Sequence, residues 1–212
     1  MSFKLEIVVF DMDGVLVDTD SSWQFVHKRF HVDNSDNLKQ FLDHKISYLE
    51  FMKKDIELWG RVSINTLESI LDEVPLMKGA KSTVAQLKRA GFKTAVVSSG
   101  ISILAERVQR ELEIDSVFAN KVLADKSGFL TGKGVEVVNP LNKKTVLRKL
   151  AHDERTTPSR CAVIGDTIFD VPMFREAGLS IAFNTNDKRV RKEANVAVEG
   201  KDLKKILPHL VF

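Results

Sequence analysis

Apolar residues along the chain fall into two rhythms. Leu5-Glu6-Ile7-Val8-Val9-Phe10 is rich in β-branched and aromatic residues whose apolar positions hardly alternate, the pattern of a strand buried on both faces. Asp11-Met12-Asp13-Gly14 breaks the run. From about Asp20 to Val74 the spacing turns helical: Trp23, Val26 and Phe30; Leu38, Phe41 and Leu42; Leu49, Met52, Ile56 and Trp59; Leu67, Ile70, Leu71 and Val74. Each set is a one-sided stripe that requires a helical partner, so Leu42 and Leu49 are expected inward with the rest. Polar breaks at Asp33–Asp36 and Gly60–Ser63 separate the helices, and Pro75 marks their end.

Beyond Pro75 helix and strand alternate. The pattern predicts a helix from Ala80 to Ala90, a buried strand from Lys93 to Val97, a helix from Ile103 to Leu112 and a short strand at Val117–Ala119. Gly-punctuated extended segments from Lys121 to Gly134 read as a hairpin. Then come a helix from Lys143 to Ala151, a strand at Cys161–Ile164, a helix from Val171 to Ala177, strands at Ser180–Phe183 and Val196–Val198, and a terminal helix from about Asp202. Such alternation gives an α/β fold with a mostly parallel sheet covered on both faces. Right-handed crossovers put all C-terminal strand ends on one edge, where ligands bind.

Composition narrows the function classes. The 212 residues are 43% hydrophobic and 29% charged, a globular balance that excludes disorder of the whole chain. One cysteine, Cys161, excludes a disulfide framework and any cysteine-built metal site. It is expected to be an inert buried thiol. The five histidines are scattered without metal-site spacing, and Trp23 and Trp59 read as core residues. No apolar run can span a bilayer and the N-terminus has no signal-peptide pattern, so a cytoplasmic protein without membrane contact is expected. The net charge of +3 is too small for a dedicated nucleic-acid binder, and the basic run Lys188–Lys192 reads as a solvated helix face.

The polar residues at the strand ends carry the chemistry. Asp11 and Asp13 follow the first strand, Ser98-Ser99-Gly100 the second, and Asp166 with Asp170 a later one; Lys143 opens a helix just before that strand. Clustered carboxylates repel unless a cation sits among them or one is protonated. Mg²⁺ suits such an oxygen set and leaves positions for phosphate and water. If Ser98-Ser99-Gly100 leads directly into a helix, its amides and hydroxyl form an anion cradle, and Lys143 adds a point charge. Together these fit phosphoryl transfer. An aspartate can serve as nucleophile, and a second, protonated one as acid and base.

In these motifs the chain resembles the haloacid dehalogenase superfamily, and within it the phosphoserine phosphatase-like branch. The matching segments are Val9-Phe10-Asp11-Met12-Asp13-Gly14-Val15-Leu16, Ala95-Val96-Val97-Ser98-Ser99-Gly100, Lys143 with Leu147, and Val163-Ile164-Gly165-Asp166-Thr167-Ile168-Phe169-Asp170. The resemblance implies a Rossmann-like three-layer α/β/α core (1–17 and 76–212) and a small helical-bundle cap (18–75). It implies Asp11 as nucleophile and Mg²⁺ ligand, and Asp13 as acid/base and ligand through its carbonyl. Asp166 becomes a ligand. Ser98, Ser99, Gly100 and Lys143 bind phosphate, and Asp170 orients metal waters or Lys143. Asp20, Tyr48 and Asp55 are candidates for substrate choice. Asp20 holds the place of an ammonium-binding acid. Asp55 holds the place of a cap arginine that pairs with a substrate carboxylate, which a second carboxylate repels.

The expected function is Mg²⁺-dependent hydrolysis of a small-molecule phosphomonoester by a monomer or homodimer. Two rivals use the same residues. A phosphotransferase or phosphomutase would deliver the phosphoryl group to an alcohol, and a phosphate-ligand-binding protein would have lost catalysis.

Overall fold

A computed structural model describes residues 4–210. Its strands are β1 (Ile7–Phe10), β2 (Lys93–Ile101), β3 (Ser116–Ala124), β4 (Leu130–Val135), β5 (Cys161–Gly165), β6 (Leu179–Phe183) and β7 (Val196–Val198). They form one sheet in the order β4-β3-β2-β1-β5-β6-β7. Neighbours run parallel except β3 and β4. Strand β1 lies near the middle, with Val9 opposite Ala95 on one side and Val163 on the other.

Alternation in β1 separates two cores. Val8 and Phe10 join the layer of α5 (Ala80–Arg89) and α6 (Ser102–Leu112), packing with Val84, Leu87, Leu104 and Val108. Ile7 and Val9 join the opposite layer of α7 (Lys144–Asp153), α8 (Val171–Phe174) and α9 (Lys188–Glu193), with Val146, Leu147, Phe174 and Val190. The result is the three-layer α/β/α arrangement.

Four helices stand between β1 and α5: α1 (Ser22–Phe30), α2 (Ser35–Leu42), α3 (Tyr48–Leu58) and α4 (Ile64–Asp72). Serines cap α1, α3 and α4, and Ser47 with Glu50 forms a reciprocal capping box. The two ends of this insertion meet: the Asp18 amide donates to the Pro75 carbonyl at 2.9 Å and the Met77 amide to Leu16 at 2.8 Å. A second tie runs to the β3–β4 hairpin. The Ile64 amide donates to Gly128, the Leu130 amide to Val62, and the Arg61 guanidinium sits 4.1 Å above the Phe129 ring.

Several boundaries differ from the sequence expectation. Leu42 and Leu49 are each 46% exposed. In α3 the inward stripe is carried by Tyr48, Met52 and Ile56 instead, so Leu49 in its first turn faces solvent. Strand β2 continues to Ile101 rather than ending at Val97, and the strand expected at Val117–Ala119 is the start of the nine-residue β3. The terminal helix is a 3₁₀ stretch, Leu203–His209, with Pro208 inside it. In α9, Arg189 pairs with Asp187 and Arg191 with Glu199, which leaves no aromatic-interleaved basic patch there. Cys161 is buried, and burial pushes its thiol up to about 12.

Candidate active site

The C-terminal ends of β1, β2 and β5 converge on one cavity of about 140 Å³. Asp11, Asp13, Asp20, Ser21, Trp23, Ser98, Ser99, Gly100, Lys143, Thr167 and Phe169 line it. Close approach of the chain makes this possible. Gly14 has φ +76°, and a Cβ there would lie 2.1 Å from Asp166 Oδ2. A Cβ on Gly100 would fall within 2.9 Å of Asp13 Oδ2. A larger residue at Gly14 would displace the Asp166 carboxylate, and one at Gly100 would crowd Ser22, Met12 and Asp13 together.

Lys143 is the electrostatic centre. It is buried, and its Nζ donates to Asp11 Oδ2 and to Asp170 Oδ1, each at 2.7 Å. Burial opposes its charge, but the two carboxylates more than offset this and hold its pKa above the usual lysine range. Asp11 accepts from the Met12 amide through Oδ1 at 2.7 Å. Burial first, then Asp170, raises Asp11 from 3.8 to about 7 against the pull of Lys143. Asp13 is raised to about 6 by burial, while hydrogen bonds from the Ser22 amide and hydroxyl work the other way. Asp166 rises to about 9 through burial and the nearby Asp11 and Asp170.

Oxygens of Asp11, Asp166 and Asp170 lie within 4.8 Å of one another. Asp170 is fully committed: Oδ1 takes Lys143, and Oδ2 accepts from the Asp166 amide and from the Thr167 amide and hydroxyl. It therefore orients its neighbours. Asp13 Oδ1 and Asp166 Oδ1 are buried with no partner. An unpartnered buried carboxylate oxygen on Asp166, with an Asp11 oxygen within 4.8 Å of that carboxylate, suits a hard divalent cation, so the donor set fits a metal.

The cradle expected at a helix N-terminus is corrected. Ser98, Ser99 and Gly100 lie in the extension of β2, ahead of α6. The Gly100 amide donates to Ser98 Oγ at 3.0 Å and the Ile101 amide to Ser22 Oγ at 3.2 Å. The Ser99 carbonyl accepts from Trp23 Nε1, the Tyr48 hydroxyl and Asn120 Nδ2. Ser98, Ser99 and Gly100 still line the same cavity as Lys143.

The specificity candidates separate. Asp20 lines the cavity. Tyr48 does not; it is buried with its hydroxyl on the Ser99 carbonyl. Asp55 is turned away inside the helical insertion, fully buried. It accepts from Asn34 and Asn37 and pairs with His27 Nε2, while His27 Nδ1 accepts from Trp59 at 2.8 Å. Trp23, read as core, is a cavity wall and also stacks on Trp59 with ring centroids 5.5 Å apart.

Sequence reasoning overlooked Ser22. Ser22 directly follows Asp20 and Ser21, and only its helical position beside Asp13 shows its role. Ser22→Ala removes one of two hydrogen bonds to Asp13 Oδ2 and strands the Ile101 amide. We expect kcat to fall about tenfold with little change in KM, and stability to drop by about 1–3 kcal/mol. Steady-state kinetics and a thermal melt read both, and an unchanged kcat would remove Ser22 from the site.

The description "haloacid dehalogenase-like hydrolase" matches residues 5–178. The chain belongs to that family. Phosphoserine phosphatase of Methanocaldococcus jannaschii is 29% identical to this hydrolase over 99% of this chain and all of the relative. That of Idiomarina loihiensis is 30% identical over 98% of this chain and 94% of the relative. A solved phospho-aspartyl intermediate analogue of phosphoserine phosphatase superposes with a TM-score of 0.83, at 28% identity, covering 98% of this chain and 99% of that one. Among the described residues, no helix of the hydrolase is long and apolar enough to cross a membrane.

Proposed function

We propose that this hydrolase cleaves small phosphomonoesters by way of a phosphoryl group carried on Asp11. The observation that carries the reading is Asp11 held between the Met12 amide and Lys143, with the unpartnered Asp13 Oδ1 belonging to the same cavity. The likeness to phosphoserine phosphatases supports phosphomonoesters as the substrate class. A cavity of about 140 Å³ is small beside the roughly 300–1,000 Å³ of common ligand pockets, which favours a short leaving group.

Lys143 and the Ser98 hydroxyl bind the phosphate oxygens. An Asp11 oxygen attacks phosphorus, and the bond from phosphorus to the ester oxygen breaks. The Asp13 carboxyl gives its proton to that oxygen, so the leaving group departs as a neutral alcohol. Asp13, now a carboxylate, takes a proton from water as the water oxygen bonds to phosphorus. The Asp11–phosphorus bond breaks, phosphate leaves, and both carboxyl groups return to their starting states. Burial pushes the Asp13 carboxyl up from the usual carboxylate range, in the direction of the protonated form that the first step uses. Asp11, Asp166 and the Asp13 main-chain carbonyl would hold Mg²⁺, which when bound neutralises charge on the phosphate and the carboxylates. Residues 18–75 act as a cap that excludes water, over a catalytic core of 1–17 and 76–212.

Phosphate release from an aryl phosphate, assayed with Mg²⁺, after chelation and after Mg²⁺ is restored, tests this reading. Activity should fall below about 1% on chelation and return. Full activity in chelator would overturn the metal assignment, and no release in Mg²⁺ would overturn hydrolysis.

A further inference from the structure

Trp23 is the largest side chain on the cavity wall, and it is held there in two ways. Its Nε1 donates to the Ser99 carbonyl at 3.1 Å, which ties the edge of the indole to the strand extension that also lines the cavity. Its ring stacks on Trp59, with centroids 5.5 Å apart and planes at 28°. Trp59 itself is buried and does not line the cavity, so it backs the wall without touching what the wall faces.

The rotation of Trp59 is fixed by hydrogen bonds that fit in one sense only. An indole nitrogen can only donate, so His27 Nδ1, 2.8 Å away, is the acceptor and the imidazole proton sits on Nε2. That proton is given to Asp55 Oδ2 at 3.1 Å. Asp55 is fully buried and also accepts from Asn34 at 2.7 Å and from Asn37 at 3.1 Å. Among the described residues, no buried side-chain nitrogen or oxygen of this cluster lacks a partner. Apolar residues could fill the same space between α1 and α3 without burying a carboxylate. Hydrogen bonds have the direction that apolar contacts lack, and a satisfied buried network rigidifies what it holds. The cluster therefore sets the angle of Trp59 and, through the stack, braces the Trp23 ring.

From this we infer that Trp23 sets the length of leaving group that the cavity admits, and that His27 is a positioning residue acting on substrates only through Trp59 and Trp23. The inference rests on the hydrolytic reading above and names the residues that decide how large an ester it accepts. His27, Asp55 and Trp59 do not line the cavity, so a role confined to stability would lower the rates for all esters alike.

The test is the ratio of kcat/KM for ethyl phosphate to that for hexyl phosphate, with an aryl phosphate as control for hydrolysis. The two leaving alcohols are of similar acidity, so the ratio reads the wall and not the chemistry. The wild-type ratio should be about ten or more, and Trp23→Ala should bring it toward one. His27→Leu removes the acceptor of Trp59 and a donor to Asp55, and should cut the ratio by about threefold or more. Added to Trp23→Ala, it should change the ratio by less than about twofold, because the wall it braces is gone. Trp59→Phe keeps a ring against Trp23 but has no N–H for His27; its ratio should fall too, and it carries the test if His27→Leu does not fold. A wild-type ratio of one, or a ratio that survives Trp23→Ala, would overturn the role of Trp23. An unchanged ratio in His27→Leu or in Trp59→Phe, or a His27→Leu effect that persists without Trp23, would overturn the positioning role. In each case release from the aryl phosphate leaves the general reading standing. No release from any ester, the aryl phosphate included, would overturn both.

Discussion

Asp11→Asn is expected to abolish phosphate release, with kcat down by at least about ten-thousandfold. Asparagine has nearly the same shape, and its single side-chain oxygen can still accept one of the Met12 amide and Lys143 contacts, so the fold should persist. What disappears is the anionic oxygen that bonds to phosphorus. Acid-quenched wild-type enzyme given a labelled ester should carry covalent phosphate, and the variant should carry none. A variant that keeps more than a few per cent of the rate would show that another group attacks. Asp13 is the poorer candidate: its Oδ2 is tied to the Ser22 amide and hydroxyl, both at 2.9 Å, whereas Asp11 is the carboxylate that Lys143 contacts.

Lys143→Met should damage both activity and stability. Methionine fills similar space but leaves Asp11 and Asp170 facing each other without the cation that is 2.7 Å from each. Breaking a buried pair in this way costs about 3–5 kcal/mol. At about 2–4 °C per kcal/mol for a chain of this size, the melting temperature of the metal-free protein should fall by about 6–20 °C. Turnover should fall by about a thousandfold as phosphate loses its point charge. The stability loss also has a pH signature. Even with Lys143 present, Asp11 is raised from 3.8 to about 7 by burial, so its protonated form favours folding. That contribution is complete below about 3.8 and is lost as pH rises through 7. Removing the cation raises Asp11 further, so the gap between variant and wild type should widen as pH climbs from about 4 past 7. Melts across that range read it, and a gap independent of pH would mean that Lys143 contributes through packing alone.

Much of the site was legible because buried strands announce themselves. Ile7–Phe10 and Cys161–Ile164 are unbroken apolar runs, and the acids beyond them had to reach one edge of a parallel sheet. The length of β2 was hidden because Ser98-Ser99-Gly100 looks like the end of a strand. It continues because Ile101 pairs with Asn120 of β3 and its amide donates to the Ser22 hydroxyl, contacts with residues far away in the chain. Asp55 was misleading for the same reason. Its partners His27, Asn34 and Asn37 lie 18 to 28 positions away, and no local pattern shows that a carboxylate will turn inward among them. Leu42 and Leu49 show the limit of periodicity: it defines a stripe but not how far the neighbouring helix covers it.

The burial of the one native thiol has a practical consequence. Cys161 is sealed within the sheet, and its high pKa keeps it from forming thiolate at neutral pH. A cysteine introduced at an exposed position on the helical insertion, such as Leu49, would be the sole group that maleimide dyes could reach. Fluorophores there would report any movement of the insertion in real time, in a protein whose own cysteine need not be removed first.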